Sequence, residues 1–180
     1  AATQDIKSPN GDLLAKAGYP GGKGLPVFQF WSNPRSAIVE REHEVIRQQF
    51  AEVGIRVEFQ YNTNWPEFKA QAEAGKFQVF RYGWVADVPE PDIFLHSLFH
   101  SKGRTNLTRY HNPRVDRALD RARIEQDNLK RLELYREAER TVMEDAPVIP
   151  LNYYIYERAF QPYVRSVEVK PVVRRHPIPG

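Results

Sequence analysis

Arg81, Tyr82, Trp84 and Asp87 put a cation, a phenol, an indole and a carboxylate into one short stretch, a set able to hold a charged organic solute. Residues 77–82 alternate β-forming side chains and read as a strand. Gly83 ends it, and Pro89 and Pro91 stiffen the loop beyond. An aromatic and an acid therefore stand just past a strand end, which is where open α/β sheets bind ligands. A Trp in that place equally serves as a core residue, and an Asp in a Pro-rich loop as a turn former or cap. Alternation sets Arg81 on the sheet face of Phe77 and Val79. A cation among apolar neighbours requires a partner, either a ligand or a structural carboxylate.

Other chemistry is less well founded. Asp87 with Glu90 or Asp92 could form the paired carboxylates of a hydrolase, but acid–base work needs two carboxyl groups at a set separation in different environments, and nothing in the spacing provides that. His96-Ser-Leu-Phe-His100 is an i, i+4 pair that could chelate if a short helix over 92–99 runs through it; surface histidines are the plainer reading, so no metal centre and no cofactor are expected. The loop over 19–24 has repeated glycines without the phosphate-cradle pattern. The absence of cysteine excludes disulfides, thiolate metal sites and cysteine nucleophiles.

The elements that must position these residues can be read from the pattern. Residues 12–17 form a helical turn or two ended by Gly18, after a turn at 8–11. Residues 25–31 are apolar on both faces, as in a buried strand. Ser36 caps a helix over 37–53 with Ile38, Val45, Ile46, Phe50 and Val53 on its apolar face, and Gly54 stops it. Residues 55–61 alternate as a strand. Asn64 caps a helix over 65–74, closed by Gly75, and the strand over 77–82 comes next. Strand–helix–strand–helix–strand implies a parallel sheet, with the strand ends near Trp31, Asn62 and Trp84 along one edge.

Beyond the His96 helix, residues 100–112 read as a connection without clear structure. Asn112-Pro113 opens a helix buried through Val115, Ala118, Leu119 and Ala122. Asp127 caps a longer one through Asp145, with Leu132, Tyr135, Ala138, Val142 and Met143 inward. Residues 148–156 are extended, 165–170 alternate as a last strand, and the Pro-rich tail over 172–180 frays.

The 180 residues, 41% hydrophobic, suffice for a domain with a real core. A mean hydropathy of −0.62 and the lack of a long apolar run give no transmembrane helix, and the polar start shows no signal peptide. Net charge is +3 and the pI about 9.1, but Lys and Arg alternate with Glu and Asp as on solvated helix faces, so Arg174-Arg-His176 does not make a nucleic-acid binder.

The order of several fragments resembles the family 5 extracellular solute-binding proteins, the peptide receptors of ABC importers. The fragments are Leu13-Leu-Ala-Lys-Ala-Gly-Tyr-Pro20, Phe50-Ala-Glu-Val-Gly-Ile-Arg-Val57, Gly83-Trp-Val-Ala-Asp-Val-Pro-Glu-Pro91, Tyr110-His-Asn-Pro-Arg-Val-Asp116, Arg131-Leu-Glu-Leu-Tyr-Arg-Glu-Ala-Glu139 and Asp145-Ala-Pro-Val-Ile-Pro-Leu151. The resemblance implies an α/β, periplasmic-binding-protein-like type II fold with a mostly parallel sheet. It also implies a receptor that closes two lobes on its solute and docks on a membrane permease, in the periplasm or outside the cell, with or without a lipid anchor. Residues 1–180 would be the C-terminal lobe, with 147–180 a crossing strand and tail. By the same resemblance Asp87 pairs with a peptide α-amino group, Trp84 lines the cavity, and Arg81 meets a peptide carboxylate; Tyr82, next to Arg81, is a further candidate ligand-binding residue. A non-peptide solute such as nickel, haem or an oligosaccharide is the alternative within the family.

Overall fold

The computed structural model describes residues 9–153, 159–161 and 163–165. The chain divides into two compact units, residues 1–83 and residues 84–180. No described helix is long and apolar enough to cross a membrane.

In the first unit, helix α1 (Pro9–Lys16) leads through a single 3-10 turn (Pro20–Gly22) to strand β1 (Phe28–Ser32), helix α2 (Ala37–Glu52), strand β2 (Val57–Tyr61), helix α3 (Trp65–Glu73) and strand β3 (Val79–Phe80). The expected turn at 8–11 is corrected: residues 9–11 open α1. All strand pairs are parallel, in the order β2-β1-β3, with Phe30 opposite Phe59 and Val79, and Trp31 opposite Gln60 and Phe80. The two helices are capped as their sequences imply, Ser36 accepting from the Val39 amide and Asn64 from the Glu67 amide.

Both faces of β1 are covered. On one, His43 of α2 stacks on Phe59 with ring centroids 4.3 Å apart and reaches Phe30 and Tyr61. On the other, Trp31 stacks on Phe77, which meets Phe68 of α3 at 4.9 Å. Helices on opposite faces of a 2-1-3 sheet make a doubly wound arrangement whose switch point lies between β1 and β3. The expected α2 face needs correction: Ile38 and Val45 are exposed, while Ile46 and His43 are buried. The stripe touching the sheet runs through 39, 43, 46 and 50, one residue round the helix from Ile38. The strand expected over 77–82 is shorter in the structure, Val79–Phe80, and its partner among the described residues is β1. Gly54 is more than a helix stop. At φ +84° its backbone lies against the Gly21 carbonyl, where an added Cβ would sit 2.1 Å from the oxygen.

The described residues of the second unit form three helices, α4 (Asp92–Phe99), α5 (Pro113–Ile124) and α6 (Asn128–Asp145). Val115, Ala118, Leu119 and Ala122 of α5 pack with Tyr135, Ala138 and Val142 of α6 and Leu95 of α4. Leu132 and Met143 lie exposed on α6, contrary to expectation; the inward stripe is narrower and takes Thr141 in their place. Residues 100–112 are also more ordered than their polarity implies. The Asn106 amide donates to the carbonyls of His100 and Tyr110, and its Oδ1 accepts from the Tyr110 amide. Gly103 packs on the end of α4, where a Cβ would meet the His96 carbonyl at 2.5 Å. Residues 148–153 of the expected extended run form no strand; its residues 154–156, residues 166–170 of the strand expected over 165–170, and the tail lie outside the described residues.

Candidate functional site

Each unit carries candidate residues of its own. In the first, the backbone continues the ladder one step beyond β3, the Arg81 amide donating to the Trp31 carbonyl at 2.8 Å. Alternation then sends the Arg81 side chain to the α2 face and Tyr82 to the α3 face; Phe77, expected on the face of Arg81, packs instead against Trp31 and Phe68 on the α3 side, because it precedes the strand and its alternation. Arg81 Nη1 lies 2.9 Å from Glu42 Oε2, with the side chains 10% and 25% exposed. The nitrogen is out of hydrogen-bond alignment, so this is an ion pair set by distance. The partner that a cation in apolar surroundings requires is therefore a carboxylate of α2. Tyr82 packs its ring beside Trp65 and Phe80, and burial pushes its phenol up. Beside this pair, His43 Nδ1 stands 2.9 Å from the Tyr61 hydroxyl, and burial, with the Arg81 charge behind it, holds that imidazole below its ordinary value.

In the second unit, Trp84 is half-buried and its indole N–H donates to the Ile93 carbonyl at 3.0 Å. That bond fixes the ring and uses its only donor, so what Trp84 has left to offer is its face. Asp87 is exposed, and no hydrogen bond or ion pair engages it among the described residues. Its acidic neighbours differ. Asp92 lies 3.4 Å from Arg123 Nε and accepts from the Tyr135 hydroxyl; Glu90 is 4.0 Å from Arg131. The three carboxylates thus differ: Asp92 is held by Arg123 and Tyr135, Glu90 makes a long, exposed ion pair, and Asp87 faces solvent, an arrangement that gives no support to a catalytic pair.

Sequence reasoning missed Glu42. Its signal was present as a charged residue one position before His43, at the edge of the sheet-facing stripe of α2, but which cation it meets depends on the strand that arrives later in the chain. The motif around Asp116 also gains a role. Burial works against its ionisation, and the Ser101 amide and hydroxyl, at 2.8 and 2.6 Å, more than offset this, so its carboxyl lies below the usual range. Asp145 accepts from Tyr110 and Asn112, tying the end of α6 to the start of α5; burial and that bond push the Tyr110 phenol up to about 12. For metal, one group of three candidate ligands occurs among the described residues, His96, His100 and Asp120.

Comparison with known proteins places these features in context. Residues 9–106 match the description "Bacterial extracellular solute-binding proteins, family 5 Middle". The periplasmic oligopeptide-binding protein OppA of Salmonella typhimurium is 30% identical over 152 residues, covering 84% of this chain and 27% of the relative. Heme-binding protein A of Haemophilus influenzae is 29% identical, covering 88% and 29%. The solved structure of the ABC transporter-associated periplasmic binding protein DppA of Helicobacter pylori, in complex with the peptide STSA, superposes with a TM-score of 0.67 at 26% identity, covering 76% of this chain and 26% of that one. The chain spans under a third of the length of these curated relatives.

Proposed function

The chain belongs to the bacterial extracellular solute-binding proteins of family 5, with their α/β type II fold, and from that premise we propose that it is a substrate-binding lobe for short peptides. The observation that carries this reading is the exposed Asp87, which has no partner among the described residues, beside an Asp92 already held by Arg123 and Tyr135. A carboxylate left open on a loop stiffened by Pro89 and Pro91 matches a peptide ammonium, and a charge-assisted hydrogen bond between them contributes about 1.5–3 kcal/mol once water is excluded. The fixed ring of Trp84 adds an apolar wall on the same loop. Arg81 and Tyr82 rank behind these two as solute contacts, because each is already engaged inside the first unit. The relatives named as periplasmic support a place in the periplasm or outside the cell, and their link to ABC transport supports a membrane permease as the partner of the longer receptor.

The test is an NMR titration of the 180-residue chain with trialanine and with N-acetyl-trialanine. The expected result is a shift of the amides over 83–88 with trialanine, at roughly millimolar affinity corresponding to about −4 kcal/mol. The shift should vanish with the acetylated peptide and in Asp87→Asn. Equal shifts with both peptides, or with Asp87→Asn, would refute the assignment. The similarity to a heme-binding protein makes haemin the control ligand.

A further inference from the structure

We propose that His96, His100 and Asp120 form a binding site for a divalent transition-metal ion of the zinc class. The site lies wholly in the second unit and does not depend on the peptide reading. Helix α4 carries His96 in its last turn and His100 at its C-cap, one turn on, so both rings leave the same side of the helix. The rings stack with centroids 4.3 Å apart and 19° between their planes. Asp120 comes from α5, and one ligand atom of each residue lies within 4.8 Å of the other two.

The spacing suits an ion. A tetrahedral centre with bonds of about 2.0–2.2 Å sets its ligand atoms about 3.3–3.5 Å apart. His100 Nε2 and Asp120 Oδ1 already stand at 3.3 Å, so only His96 has to close in. His100 Nε2 is buried, its side chain 5% exposed, and no hydrogen bond is aligned with it. That nitrogen faces Asp120 at 3.3 Å and Asp116 at 3.9 Å without an aligned hydrogen bond to either, so a buried polar group is left poorly satisfied, and an ion held between the ring and Asp120 would satisfy both. Asp120 itself is 65% exposed, which leaves the ion a way in from solvent. Two imidazoles and a carboxylate are the donor set of borderline ions, with a fourth position left for water.

Two neighbours govern the affinity. Arg123 Nη1 lies 3.2 Å from His96 Nε2. A guanidinium can only donate, so that nitrogen already presents its lone pair outward, as a ligand must. The guanidinium itself has to swing away, and Asp92, 3.4 Å from its Nε, offers it a place. His100 Nδ1 accepts from the Lys102 amide at 2.9 Å, so the neutral ring carries its proton on Nε2. On binding, that proton moves to Nδ1 and the Lys102 bond is lost, which makes the site moderate in affinity and specific in its signature.

Titrating the 180-residue chain with ZnCl2 by calorimetry, with histidine ring NMR in parallel, tests the site. The expected result is one ion per chain, with the ring signals of His96 and His100 shifting together. His96→Ala and Asp120→Asn, both at solvent-accessible positions, should each weaken binding at least about tenfold, and Arg123→Gln should tighten it by removing the competing cation. Circular dichroism confirms that the variants fold. Absence of saturable binding at millimolar Zn2+ overturns the proposal. So does binding that survives His96→Ala unchanged, since the ion would then sit on other histidines.

Discussion

Arg81 closes the first unit and Asp87 stands near the start of the second, and the two charges are treated in opposite ways. Arg81 is nearly buried and matched by Glu42 from its own unit, while Asp87 is exposed and unmatched among the described residues. A charge that a fold pairs internally is part of its scaffold, since removing one partner strands the other in a poor solvent. A charge left open where its neighbours are paired costs the scaffold little and is available to a partner from outside. The contrast separates residues that the sequence motif had grouped together.

Glu42→Gln should have the largest effect on stability, a loss of about 1–3 kcal/mol in urea unfolding, because Arg81 keeps its charge without its counter-ion. A loss below about 0.5 kcal/mol would break the comparison and return Arg81 to the list of solute contacts.

Asp116 is the partnered counterpart of Asp87 within the second unit. Ser101→Ala should cost about 1 kcal/mol at neutral pH by removing one of its two donors from that residue. Asp116 has a folded value lowered from 3.8, so its contribution is complete above that value and disappears as the pH falls through the lowered one. The variant should narrow this acid window from below, losing the contribution at a higher pH than the parent. An unchanged acid limb in pH-dependent unfolding would show that Ser101 does not hold Asp116.

Asp87→Asn should have the smallest effect, within about 0.5 kcal/mol by urea unfolding. A larger loss would reveal a structural partner and place Asp87 beside Arg81 as scaffold.

Much of the fold was readable because local chemistry and tertiary need agree. Ser36, Asn64, Asn112 and Asp127 all accept from amides at the helix starts they were expected to cap. Val115, Ala118, Leu119 and Ala122 are all buried, since α5 has one unambiguous apolar stripe. The failures share a cause. On α2 and α6 more apolar residues were available than the contact could bury, so Ile38, Val45, Leu132 and Met143 were left outside, while His43, whose ring stacks between aromatics, went in. The segment over 100–112 looked formless because its order comes from side chains bonding to backbone, through Asn106 and Asp116, which has no periodicity to detect.

The sequence by itself determined the alternation of strands and helices, the parallel sheet and the capped starts of α2, α3, α5 and α6, because period, capping and chain breaking act between near neighbours. Only the tertiary structure decided which charges are taken. Glu42 and Arg81, Arg123 and Asp92, and Asp116 and Ser101 are each distant in sequence, and a carboxylate's availability depends on whatever cation the fold brings within about 4 Å, a distance at which Coulomb attraction in a partly buried setting outweighs local preference.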